Sequence, residues 1–476
     1  MSNYTQGYYP HRKGPVTRAL CSARGWLSAI VVVLNTLSAM PTKAAENTLF
    51  SFNSFPGFGE LQTGSNPNGT LLRDASGALY GTTMLSGAYY NGTVFKLTPP
   101  ASGQTEWTMS VLYTFTGGFD GGLPNPGLVM DDRGALYGTT ESGGSWTNEG
   151  LVFKLTPPAA GNTQWTETVL YYFNYNFLDS TGDGVNPGVG LVMDKSGALY
   201  GTTDLGGGRT SEVGSGTVFK LTPLNAEKTN WQEDVLYRFQ GGTDGRNPMS
   251  QLALDSTGAL YGTTLYGGTG GCTDFFSELI GCGTVFRLTP PGPGETAWTK
   301  TTLHSFTGGW DGSVPQARLL AGADGALYGT TYQGGTGACT DSFYNVIGCG
   351  VVFKLAPPAS QQTEWTETVI HDFAGPEGAF PQAGLVADGT GALIGTTSGG
   401  GPVSYGVVGG YGVVFKLVPP APGQVRWTQT VLYNFDVTNS GDEAIGELVR
   451  DPKGNLFGVT YEGGEHMGGT VFEITP

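Results

Sequence analysis

Charge is scarce in this chain: of 476 residues only 13% are Asp, Glu, Lys or Arg, roughly half the share usual in soluble domains. Low charge combined with 12% Phe, Trp and Tyr excludes a disordered chain, which needs the opposite balance. No apolar run reaches the ~20 residues of an ordinary membrane span. There is no nucleophile elbow, no zinc-ligand helix and no phosphate loop. Glycine is abundant instead, at 80 residues. Its lack of a three-residue period excludes collagen, and its frequency excludes helical bundles, which it would break. An all-β, turn-dense fold remains. Length alone would point to two to four domains, but an internal repeat overrides that prior.

Residues 1–45 differ from the rest. They hold Arg12, Lys13, Arg18, Arg24 and Lys43 and no Asp or Glu, then an apolar run from Trp26 to Leu37, then small residues up to Ala45. This is the pattern of a signal peptide cut after Ala44 or Ala45; an uncleaved anchor is the alternative. Cys21 precedes the apolar run, so no lipidation box is present. Loss of five positive charges takes the formal charge from −16 to −21. Such a surface repels nucleic acid and anionic lipid. The expectation is an exported chain, periplasmic, secreted or at the cell surface, monomeric and without a membrane span once mature.

Gly-Ala-Leu-Tyr-Gly-Thr-Thr occurs at 77–83, 134–140, 197–203, 258–264 and 325–331, then as GALIGTT at 391–397 and GNLFGVT at 454–460. Between Tyr80, Tyr137, Tyr200, Tyr261, Tyr328, Ile394 and Phe457 the spacings are 57, 63, 61, 67, 66 and 63 residues. A period near sixty suits a propeller blade with generous loops. Each unit has four short β-branched and aromatic runs separated by turn residues. In the second unit these are Gly127–Asp131, Leu136–Thr140, Gly150–Thr156 and Glu167–Phe173, here called strands A to D. None alternates cleanly, as expected for sheets covered on both faces.

The ends of the chain complement each other. Thr48–Phe52 resembles a D strand, while Val471–Pro476 is a C strand whose unit lacks D. The sequence therefore predicts residues 46–476 to be one seven-bladed β-propeller of four-stranded antiparallel blades. The N-terminal strand pairs in the last blade and leaves no open sheet edge.

Positions that recur in every unit are read first as needs of the blade. The A–B corner is Asp-x-x-Gly at Asp74, Asp131, Asp194, Asp255, Asp388 and Asp451, with Gly322 the exception. Asp first and Gly fourth is what a type I turn with a left-handed glycine asks for. Trp107, Trp165, Trp231, Trp298, Trp365 and Trp427 open strand D and are read as packing residues. Lys96, Lys154, Lys220, Arg287, Lys354 and Lys416 recur in strand C, their stems over apolar surface and their heads toward solvent or a carboxylate. His304 and His371 replace strand-D tyrosines; His466, in the last B–C loop, has no such explanation.

Four cysteines lie beyond the N-terminal segment, with equal spacing in two units. In an exported protein that duplication favours Cys272–Cys282 and Cys339–Cys349 disulfides, each closing a B–C loop. Nine intervening residues exceed usual zinc-ligand spacing, so metal is the weaker reading.

Strand direction places the B–C hairpins and D-to-A crossings at one end of the ring, and this end carries most of the variation. Its aromatic residues include Tyr89, Tyr90, Trp146, Phe275, Phe276, Phe343, Tyr344, Tyr405 and Tyr411. Variable loops on a rigid frame are where recognition usually lives. The crossings read near Gly-Gly-x-Asp-Gly and supply Asp120, Asp183, Asp244 and Asp311, with Glu377 and Asp442 as looser matches. A ring of such acids would suit calcium, which prefers oxygen ligands; a turn-forming role for each Asp is the alternative.

The repeated LYGTT…GG…GTVFKLTP…W…VLYxF pattern resembles the tandem GloVer repeat of bacterial choice-of-anchor exported proteins, over nearly all of 47–476. The resemblance implies an extracytoplasmic repeat protein and supplies no catalytic residues. The chain departs from the family habit in ending at Pro476, within a strand and with no C-terminal sorting tail.

Three function classes follow. The first is a noncatalytic binding or cell-envelope module that recognises a glycan or protein ligand through Asp120, Asp183, Asp244, Asp311, Glu377, Asp442, Trp146, Tyr90, Phe276, Phe343, Tyr344 and His466. Aromatics offer stacking faces and carboxylates accept sugar hydroxyls. The second is a polysaccharide-active lyase or hydrolase with acids at the same face. The third is a purely structural repeat protein. An acid that breaks the repeat symmetry, with an unmatched partner across the channel, would favour catalysis.

Overall fold

The computed structural model describes residues 44–54, 62–144, 148–174, 182–208, 214–274, 277–359, 362–402 and 410–476. The segment expected to be a signal peptide lies outside them up to residue 43, as do Trp146, Phe275, Phe276 and Tyr405. The described residues form seven antiparallel blades arranged in a ring, a β-propeller, with one 3-10 turn at Gly242–Asp244 and no α-helix. Among the described residues no helix is long and apolar enough to cross a membrane.

Blade 2 illustrates the unit. Val129–Met130 (strand A), Leu136–Ser142 (B), Leu151–Thr156 (C) and Thr166–Tyr172 (D) pair in that order. Strand A is shorter than the five-residue run expected for it. A separate piece, Gly122–Pro124, pairs with the far half of strand B, Pro124 opposite Thr140. Between strand D and this inner edge the chain turns through a residue of positive φ in every blade: Asn66, Leu123, Asn186, Asn247, Val314, Phe380 and Glu443. Leu, Val and Phe tolerate that region poorly. They are held there by backbone bonds to the preceding B–C loop, as in Leu123 N to Asn91 O at 3.0 Å and Val314 N to Cys282 O at 3.0 Å.

The repeated phrase has a packing reason. A Cβ built on the glycine of Leu-Tyr-Gly-Thr-Thr would lie 2.6 Å from the strand-C phenylalanine of its own blade at Gly81, Gly138 and Gly201. Only glycine lets that ring lie across strand B. The ring is then met edge-on by the phenylalanine that ends strand D of the preceding blade. Phe115–Phe153, Phe173–Phe219, Phe239–Phe286, Phe306–Phe353 and Phe373–Phe415 all have centroids 5.2 Å apart. Edge-to-face pairs add about 0.5–1.5 kcal/mol each beyond their burial. The second Thr of the phrase is buried and shares its hydroxyl with the first residue of strand C, as in Thr83–Thr93 at 2.8 Å and Thr264–Thr284 at 2.8 Å. A polar side chain inside the sheet is thus satisfied.

The ring closes as expected. Ala45–Asn53 pairs antiparallel with Met467–Thr475, with Thr48 opposite Phe472 and Phe50 opposite Val471. Phe435–Phe472 at 5.0 Å and Phe52–Phe95 at 5.2 Å continue the phenylalanine series across this blade on both sides.

The tryptophans pack between blades. Tyr137 meets Trp231 at 6.0 Å, Tyr200 meets Trp298 at 6.5 Å, and Phe457 meets Trp107 at 6.1 Å, each tryptophan standing one blade on from its partner. The strand-C cations lie over the strand-B tyrosines, Lys96 at 5.1 Å from the Tyr80 ring and Lys220 at 5.4 Å from Tyr200. Where Ile394 replaces the tyrosine, Lys416 pairs with Asp388 at 2.8 Å. Both expected disulfides are present, Cys272–Cys282 and Cys339–Cys349.

Candidate functional site

The crossing acids face the circumference, not the axis. Asp120 accepts from the Tyr113 hydroxyl at 3.0 Å and from Thr116 N at 2.9 Å. Asp183 accepts from the Tyr171 hydroxyl. Asp244 accepts from Tyr237 at 2.8 Å and Gln240 N at 2.8 Å. Asp311 accepts from Thr307 N at 2.8 Å and lies 3.6 Å from His304 Nε2, and Glu377 accepts from Ala374 N at 2.8 Å. The tyrosines and His304 belong to strand D, the outermost strand, so Asp120, Asp183, Asp244 and Asp311 fasten their crossings to the blade edge, while Glu377 bonds its own turn. Asp442 is placed differently. It bridges Glu462 at the inner edge of blade 7, while Ser440 takes the crossing position and accepts from Asp436 N at 2.9 Å. Among the described residues no group of three or more His, Cys, Asp or Glu converges to hold a metal ion.

Asp120, Asp183, Asp244 and Asp311 also meet strand D of the next blade. Burial pushes Glu167 up to about 7, with the charge of Asp120 adding to it; Glu233 rises to about 8 in the same way beside Asp183, and Glu367 to about 7 beside Asp311. Their Oε1 atoms are buried without a hydrogen-bond partner among the described residues. At the equivalent position Lys300 replaces glutamate and forms an ion pair with Asp244 at 2.8 Å.

The axis is lined by the residues just before strand A. Together with Met84 and Tyr461 at the B–C end they enclose a cavity of about 270 Å³ to which all seven blades contribute. The position immediately before the strand-A leucine holds Thr70, Gly127, Gly190, Gln251, Arg318, Gly384 and Glu447. Gln251 Nε2 donates to Leu191 O at 2.8 Å, and Gln316 Nε2 to Gln382 Oε1 at 3.1 Å. Arg318 Nη1 donates to Glu447 Oε1 at 3.2 Å. Burial raises the Glu447 carboxyl, and Arg318 opposes that rise. Toward the mouth, burial and the charges of Glu443 and Glu462 push Asp442 up to about 6.

The loop aromatics are exposed. Tyr90 is 75% accessible, Phe343 65% and Tyr344 83%; the last two sit inside the Cys339–Cys349 loop. Tyr89 is exposed too, whereas Tyr411 packs partly buried against the core between blades 6 and 7. His466 is exposed and acts through its backbone, which bonds Ser51 Oγ and Ser54 N of the N-terminal strand at 3.3 Å each. Trp146 and Phe276 lie outside the described residues.

Two sets of residues escaped the sequence reading. Trp310 and Phe119 fill the variable place of Gly-Gly-x-Asp-Gly and are 62% and 61% exposed. The crossing that bears Trp310 rests on a disulfide, since a Cβ on Gly308 would lie 2.4 Å from Cys272 Sγ. Arg318 and Glu447 were legible only as breaks in an otherwise repeated stretch.

Such a ring of look-alike blades, varied at one end and along its axis, defines a repeat propeller with a ligand-sized channel. The chain belongs to the Gloeobacter/Verrucomicrobia repeat family, whose model matches residues 36–276, 211–410 and 277–476. No curated protein matches the chain. Among solved structures, it is similar to an X-ray structure assigned as a gluconolactonase by family. The two share 12% identity over 91% of this chain and 92% of the other, with a TM-score of 0.37. That likeness carries no argument about activity.

Proposed function

We propose that this propeller is a noncatalytic binding module, exported from the cytoplasm, that recognises a glycan through the end of the ring bearing the B–C loops and crossings. The observation that carries the reading is the exposure of Trp310, Phe343 and Tyr344 on neighbouring blades 4 and 5, where both disulfides lie. Exposed rings on loops held in place offer stacking faces at small entropic cost. Two disulfides also fit an oxidising compartment. Asp120 and Asp244 support binding over catalysis, because their oxygens already accept bonds from their own turns and from strand D.

A glycan array probed with the purified protein, with and without chelator, followed by product analysis on each hit, tests the reading. Binding without turnover, weakened by Trp310→Ala or Tyr344→Ala, is the expected result. Turnover of a bound glycan would make the protein an enzyme, and silence across the array would remove glycan recognition. Loss of binding in chelator would bring a cation into the site.

A further inference from the structure

Arg318 and Glu447 are the charged side chains that line the cavity, and they meet from non-adjacent blades. Arg318 comes from blade 5 and Glu447 from blade 7; they join at 3.2 Å across blade 6, which offers only Gly384 there. A Cβ on Gly384 would lie 2.4 Å from Glu447 Oε2, so the missing side chain is what admits the carboxylate. Glu447 uses Oε1 for the pair, and Oε2 takes no hydrogen bond among the described residues. The Arg318 side chain remains 42% exposed, with one of its five N–H donors engaged among the described residues.

We infer that this pair is a clamp for two adjacent hydroxyls on the terminal unit of a neutral glycan held in the channel, a deepening that rests on the glycan-binding reading above. The chemistry selects the ligand. A carboxylate would draw Arg318 away and leave Glu447 buried and unpaired, which is strongly unfavourable. A cation would meet Arg318. An uncharged vicinal diol meets neither objection: one oxygen accepts from the guanidinium and the neighbouring hydroxyl donates to Glu447 Oε2. Gln316 donates to Gln382 Oε1, and among the described residues the Gln382 amide keeps both of its own donors for a third contact. A volume of about 270 Å³ is close to the lower bound of ~300 Å³ for ligand pockets and suits a small unit.

Titration calorimetry with neutral, acidic and periodate-oxidised oligosaccharides tests the clamp on the wild type and on Arg318→Gln, Glu447→Gln and Gly384→Ala, each checked by thermal melting. A neutral oligosaccharide should bind. Either charge substitution should weaken it at least about tenfold, the loss of a charged hydrogen bond. Gly384→Ala, which keeps both charges but displaces the carboxylate, should weaken it with an unchanged melt and decides the matter if the other two fail to fold. Periodate, which cleaves the diol, should abolish binding. Unchanged affinity in the folded variants would overturn the clamp while leaving loop-mediated glycan binding intact, as would a preference for acidic oligosaccharides. Failure of every oligosaccharide to bind the wild type would overturn both.

Discussion

Phe52 stands edge-on to Phe95 at 5.2 Å and 61°, across the seam where the first strand of the ring meets blade 1. The same geometry joins blades within the continuous chain, so the seam is packed like any other blade junction. Phe52 is wholly buried. Phe52→Ala should therefore destabilise the whole ring by about 3–5 kcal/mol, the usual loss for a buried phenylalanine. A thermal melt of the variant beside the wild type measures it; an unchanged midpoint would mean that the seam is open.

The outer junctions give the protein a pH profile. Glu167, Glu233 and Glu367 are raised from 4.5 to about 7, 8 and 7 in the folded state, chiefly by burial. A carboxyl raised on folding binds more protons folded than unfolded, so its stabilising contribution is complete below about 4.5 and lost as pH rises through 7 to 8. Melting temperature should fall between pH 5 and pH 8.5. The triple variant Glu167→Gln, Glu233→Gln, Glu367→Gln should flatten that fall. Lys300→Glu, which places a glutamate beside Asp244, should steepen it.

The corner aspartates work in the other direction. Burial alone would raise Asp131, but bonds from Tyr137, Ala135 and Arg133 outweigh it and hold the carboxyl below its ordinary value. Its contribution is lost as pH falls below about 4. Asp131→Ala would leave the buried Tyr137 hydroxyl without its acceptor, at a cost of about 1–3 kcal/mol. In blade 5 Gly322 stands at this corner and Asp324 takes over, accepting from Ala326 N at 3.1 Å and from Lys354 at 2.9 Å. The Asp324 side chain is 55% exposed, so Asp324→Ala should lower the melting temperature less.

Removing one disulfide separates binding from folding. Replacing Cys272 and Cys282 by serine releases a local loop, worth about 3 kcal/mol in the chain-entropy view. It also frees the crossing that carries Trp310, since Gly308 is packed against Cys272 Sγ. Glycan affinity should fall in a variant that still folds, read by calorimetry and circular dichroism together.

The fold was legible because seven copies multiply each weak local signal. Asp131 with Gly134 marks a corner, and Gly138 marks a ring crossing a strand. The N-terminal run Thr48–Phe52 matched the D strand that the last unit lacked. Recurrence hid the channel for the same reason. Arg318 and Glu447 occupy a place where three blades have glycine and the other four each a different residue, and nothing in the spacing of 129 residues between them foretells that they touch. Only closure of the ring, with Gly384 between them, makes neighbours of them. The crossing acids were legible as acids but not in direction, because Tyr113, Tyr237 and His304 draw them outward to strand D. Strand A was overdrawn: in blade 2 Gly127 has positive φ and Asp131 already begins the corner, which leaves Val129–Met130 to pair.

The cavity and the ordering of the loops both depend on the two chain ends pairing in register. Asn47 lies directly opposite Glu473 in that pair, and cysteines at directly opposed antiparallel positions are close enough to bond. The most direct measurement is non-reducing peptide mass spectrometry of the Asn47→Cys, Glu473→Cys double variant. An intramolecular 47–473 disulfide in the monomer, with a raised melting temperature, is the expected result; free thiols at both positions, or a crosslink found only between two molecules, would contradict the closed ring.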